Sequence, residues 1–61
     1  MSKEEWAFKN IVRYNLCVDF YANKITTTDD TEWFWQGTDI KDFYSLLVNV
    51  IDEEKIRESE E

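Results

Sequence analysis

The one cysteine, Cys17, has no histidine anywhere in the chain to take its proton, and a catalytic thiol needs such a base or an equivalent activating charge. It falls in the run Leu16-Cys17-Val18 and is expected to be a small, inert, packed side chain. Adjacent carboxylates such as Asp29 and Asp30 can in principle divide acid and base work, but a chain of 61 residues offers no enclosing scaffold for it. A lone cysteine excludes an intramolecular disulfide, and without histidine a metal site is not expected. The chain is therefore read as a non-enzyme with no cofactor and no metal, whose function lies in binding.

Charge and aromatic content indicate what it binds. Fourteen Asp and Glu oppose seven Lys and Arg, a net charge of −7 that repels phosphate backbones and argues against direct nucleic-acid binding. The same charge steers the chain toward basic clefts, although it also serves plain solubility. Aromatic residues make up 16% of the sequence, among them Trp6, Trp33 and Trp35, and such side chains anchor interfaces. Asp29, Asp30 and Glu32, then Asp39 and Asp42, form an acidic series around an aromatic stretch. Carboxylates two apart on a strand are about 6.8 Å apart at ~3.4 Å per residue, comparable to the phosphate spacing of one DNA strand. Local roles account for the same residues, Asp29 and Asp30 as turn formers and Asp39 and Asp42 as helix-start residues.

These side chains need elements to position them. From Trp6 to Ala22 apolar residues recur with period two (Trp6, Phe8, Val12, Tyr14, Leu16, Val18, Phe20), which predicts a strand, placed from about Val12 to Tyr21. Asn10 interrupts that face, and Ser2-Lys3-Glu4-Glu5 resembles a capping box, so the first residues are expected as a separate turn or short helix. Asn23–Thr31, rich in Thr and Asp, reads as the connection to an aromatic strand, Glu32–Gln36, that ends at Gly37, the only glycine. Trp33 and Trp35 share one face of it and Phe34 takes the other.

A helix follows from Thr38 or Asp39 to about Asp52. Its main stripe is Ile40, Phe43, Tyr44, Leu47 and Ile51, widened by Leu46, Val48 and Val50 to an arc of roughly 200°, more than one sheet covers. Phe43 lies on the edge of this arc; periodicity favours a core position, and projection into a dimer groove or a target pocket is the other reading.

The expected fold is a single α+β domain over 1–61, an antiparallel β-hairpin packed on one α-helix, with room for a third short strand. Residues 1–10 and the acidic tail 53–61 are expected to be mobile, apart from a docked last turn or short strand at Ile56. So small a chain buries only about 60% of its unfolded surface, and with neither disulfide nor metal a homodimer that extends the sheet is the expected remedy, a monomer completed by its target being the alternative. No apolar run approaches the roughly 20 residues of a spanning helix, so no membrane association is expected and the cytoplasm is the expected location.

The order of features resembles the small dimeric uracil-DNA glycosylase inhibitors of Bacillus podoviruses. The matching residues are Tyr14-Asn15-Leu16-Cys17-Val18, a polar acidic turn, an aromatic strand closing on Gly37, and Asp42-Phe43 five and six residues later; they span roughly Tyr14 to Asp52. The resemblance implies a DNA mimic in a bacterial host cell, two copies of which fill the DNA-binding cleft of uracil-DNA glycosylase. It implies Phe43 as the anchor in an apolar pocket of the enzyme, with Asp42, Asp39, Glu32 and Asp30 as the nearest stand-ins for phosphates. The chain departs from the family in a longer turn without glycine, in Leu47, kept among the expected partner contacts, where a tyrosine stands one turn beyond the phenylalanine, and in a closing strand reduced to Lys55-Ile56-Arg57. Two rivals remain: a decoy for another DNA-binding enzyme (a restriction enzyme, a CRISPR nuclease or RNA polymerase), and a small structural homodimer.

Overall fold

Ser2 opens the first helix by accepting the Glu5 backbone N–H on its hydroxyl at 3.2 Å, which satisfies one of the donors a helix start leaves free. In the computed structural model, which describes residues 2–59, this helix, α1, spans Lys3–Arg13. It ends in a Schellman motif. Asn15 takes φ +57, and the N–H groups of Leu16 and Asn15 return to the carbonyls of Ile11 and Val12 at 2.9 and 3.3 Å.

The first residues thus form a helix, one of the two forms expected for them, and it is longer than expected: it takes the first half of the period-two pattern and the first two residues, Val12 and Arg13, of the expected strand. Ala7 and Tyr14 are buried and Trp6, Asn10 and Ile11 half-buried, a set spaced for one helical face. Phe8 and Val12, which carried the alternation with period two, are exposed.

Three short strands follow, β1 (Cys17–Asp19), β2 (Lys24–Thr26) and β3 (Glu32–Phe34), in an antiparallel sheet of order β1-β2-β3. Val18, Ile25 and Trp33 align across it. This row faces the core, with Ile25 fully buried at the centre. Strand alternation then turns Cys17 outward, so Cys17 is exposed and not packed as expected. β2 lies inside the segment expected to be only a connection, because a strand with one apolar residue among turn formers leaves little periodicity to read. Its second turn closes through Thr27 N–H to Thr31 O at 2.9 Å and Asp30 N–H to Thr27 O at 3.0 Å, with Asp30 at φ +66.

The last helix, α2, spans Ile40–Ser59 and so runs past the end expected near Asp52. Lys55-Ile56-Arg57 is helical and forms no closing strand, and Ile56 is exposed. Arg57 ties this extension to the second turn by an ion pair with Asp29 at 3.2 Å. Of the two terminal segments, residues 3–10 belong to α1 and 53–59 to α2, while Met1, Glu60 and Glu61 lie outside the described residues.

The core joins Ala7, Tyr14 and Leu16 to Ile25 and Trp35 and to Phe43, Leu47, Val50 and Ile51 of α2. Full burial of a side chain the size of Leu47 is worth about 1.5–3 kcal/mol. The fold is α+β, with the expected C-terminal helix and, at the start where a turn or short helix was expected, a full second helix. Among the described residues no helix is long and apolar enough to cross a membrane.

Candidate functional site

The turn between β1 and β2 is built from Asp19, whose Oδ1 accepts the N–H groups of Tyr21 and Ala22 at 2.9 and 3.1 Å. Such a side-chain-to-backbone turn presents the residues between its arms to solvent. Tyr21 is fully exposed, and Phe20 keeps 59% of its surface accessible. At the turn's end Asn23, at φ +52, accepts the Trp35 N–H at 3.0 Å and donates its side-chain Nδ2–H to Gly37 O at 3.0 Å. These two bonds fasten the turn to the segment that enters α2.

That segment needs its glycine. Gly37 sits at φ +92, and a Cβ there would come 2.7 Å from Asp42 Oδ2. Asp39 stands just before the helix and accepts the Lys41 N–H on its side chain at 3.4 Å, a favourable place for negative charge. Lys41 Nζ is 3.7 Å from the other oxygen of Asp39.

The turn and the helix start meet through aromatic rings. Phe20, Trp35 and Phe43 form a triangle with centroids 5.8, 5.1 and 5.2 Å apart, separations at which tilted rings attract. Beside it lies a cleft of about 270 Å³ lined by Asn23, Gly37, Thr38, Asp39 and Ile40 together with the three rings.

The expected site residues fare differently in this arrangement. Phe43 is 4% exposed and Leu47 is wholly buried, so both are core residues of the single chain, as periodicity favoured for Phe43. Phe20 is the ring that projects above Phe43, and its exposure was missed because Phe20 falls on the apolar face of the expected strand. Asp19 and Asn23, two turn formers that bracket Phe20-Tyr21-Ala22, were the available signal.

Asp39 and Asp42 sit together at the start of α2, one exposed and one half-buried. Asp30 lies in the second turn, where its neighbour Asp29 pairs with Arg57. Between Asp42 and Arg57 the helix rises about 22 Å at 1.5 Å per residue, so the acidic series is divided between two ends of the molecule. Glu32 belongs to the sheet's outer face, held by Lys24 at 2.9 Å, a contact that raises the Lys24 pKa. The Asp29 carboxyl is held below its ordinary pKa, chiefly by the hydrogen bond from the Thr27 hydroxyl and further by Thr31 and Arg57.

Asp19, Asp39 and the Phe20-Tyr21 pair therefore present aromatic surface edged by carboxylates, a combination suited to a basic protein surface. In comparisons with protein-family models, curated proteins and solved structures, the chain matches none.

Proposed function

We propose that this chain is a protein inhibitor that mimics DNA and occupies the basic DNA-binding cleft of a partner enzyme, uracil-DNA glycosylase being the target that the resemblance names. The observation that carries it is the exposed pair Phe20-Tyr21 beside Asp19 and Asp39 on a chain of net charge −7. Carboxylates steer the encounter and stand where phosphates would, and a few aromatic anchors supply most of the affinity. In this reading the anchor is the projecting Phe20 with Tyr21, and Phe43 supports it from below; a buried Phe43 reaches a target only after rearrangement.

Pairing of two copies belongs to the same proposal. Both edge strands of the sheet are only three residues long, and such a sheet gains from added strands. Phe8, Val12, Phe34, Val48 and Ile56 are exposed as well. That apolar surface also favours the second reading, a structural homodimer whose acidity serves solubility.

Titration into a bacterial uracil-excision assay separates the two. Inhibition that weakens with added salt supports the inhibitor, because screening shortens the reach of surface charges. Full excision activity at micromolar excess overturns it, and native mass spectrometry showing a dimer without any inhibition favours the structural reading.

A further inference from the structure

The cleft between the β1–β2 turn and the start of α2 has a one-sided chemistry. Its floor is aromatic, from Phe20, Trp35 and Phe43, and its polar lining comes from Asn23, Gly37, Thr38 and Asp39. Among the described residues Asp39 carries the only formal charge in that lining, and no lysine or arginine contributes to it. The amide donor of Asn23 is already engaged by Gly37 O, which leaves its Oδ1 as an acceptor, and the Thr38 hydroxyl can accept as well as donate. An occupant that brings donors, positive charge and a flat face therefore suits this lining.

Resting on the inhibitor reading, we propose that this cleft receives an arginine side chain from the basic surface of the partner. A guanidinium meets each requirement. It stacks on aromatic rings, offers five N–H donors in a plane and pairs with carboxylates. Lysine delivers the charge as a compact, strongly hydrated ammonium and forgoes the stacking. The loose contact of Lys41 with Asp39, 3.7 Å long between exposed side chains, yields to the incoming guanidinium.

The test uses the full chain and short peptides, with no target enzyme present. A Gly-Arg-Gly peptide is titrated while amide and indole resonances are followed, beside matched peptides carrying citrulline or lysine in place of arginine. Citrulline keeps the planar shape and removes the charge. The expected result is saturable shifts centred on Phe20, Asn23, Trp35 and Asp39 for the arginine peptide, with binding about fivefold or more weaker for the other two. Asp39→Asn, which keeps a side chain able to cap the helix, and Phe20→Ala, at an exposed position, are each expected to weaken it by a similar factor.

Equal binding of the citrulline or lysine peptide, or shifts centred on Asp29 and Arg57 at the far end, overturns the proposal. Inhibition of uracil excision without arginine preference overturns this inference alone, and arginine binding without inhibition overturns the inhibitor reading alone.

Discussion

Gly37 and Asp42 are fitted to one another: the Asp42 carboxylate occupies the space a side chain at position 37 would need, 2.7 Å from an added Cβ. The carboxylate is the mobile end of its side chain and can move aside, so the lasting cost of a substitution lies in the backbone. At φ +92 an L-residue is strained by about 1–2 kcal/mol. Gly37→Ala is expected to lower the unfolding free energy by about that amount, and Asp42→Ala in the same chain to recover only the smaller part due to the clash. A double-mutant cycle by urea denaturation measures both; full recovery by Asp42→Ala would show that the clash dominates.

Phe43 and Phe20 touch at 5.1 Å between centroids but are expected to answer truncation differently. Phe43→Ala opens a cavity in the core and should cost about 3–5 kcal/mol, enough to unfold much of so small a domain. Phe20→Ala removes an exposed ring and should cost about 1 kcal/mol, mostly from lost ring contacts, while sharply weakening inhibition. Thermal melts and excision assays on both variants check this. A folded Phe43→Ala chain that no longer inhibits would restore Phe43 as the anchor.

At Asn15 the αL conformation, φ +57, ends α1. Asn15→Gly is expected to be neutral or slightly stabilising to the cap, and Asn15→Ala to cost about 1 kcal/mol. Circular dichroism melts of the two variants measure the difference, and identical melting temperatures would remove the cap from the account.

How far the fold could be read in advance follows from the same residues. The late aromatic strand, which ends at Phe34 and not at Gln36, the turn at Gly37 and the core stripe Phe43-Leu47-Ile51 were legible, because each carries a long pattern or a single residue of special geometry. Of α1 only the start was legible, through the capping pattern at Ser2; its length was not, because Trp6, Phe8, Val12 and Tyr14 fit a period of two while Ala7, Ile11 and Tyr14 fit a helix, and its end is set by the cap at Asn15. β2 was hidden since its one apolar residue, Ile25, gives no period at all. Of the candidate site, Asp39 and Asp42 were legible as neighbours at a helix start. The separation of Asp30 from them depends on a tertiary contact, Asp29 with Arg57, that local patterns do not encode. Phe20 was misjudged for the same reason as α1, a period extended past a turn.

The depressed pKa of Asp29 predicts how the hairpin end responds to acid. Its carboxylate is favoured in the folded chain by the Thr27 hydroxyl first, then by Thr31 and Arg57. The unfolded chain, with the ordinary carboxyl value of 3.8, therefore binds this proton more readily than the folded one. Stability from this group is fully present above pH about 4 and falls away as the pH drops from there through the lower folded value. Asp29→Asn cannot ionise, so its urea midpoint should decline less steeply below pH 4 than that of the unaltered chain, while starting lower at pH 7. Parallel acid limbs for the two proteins would mean that the turn and Arg57 do not hold this carboxylate, and with that the link between the second turn and the end of α2 would fail.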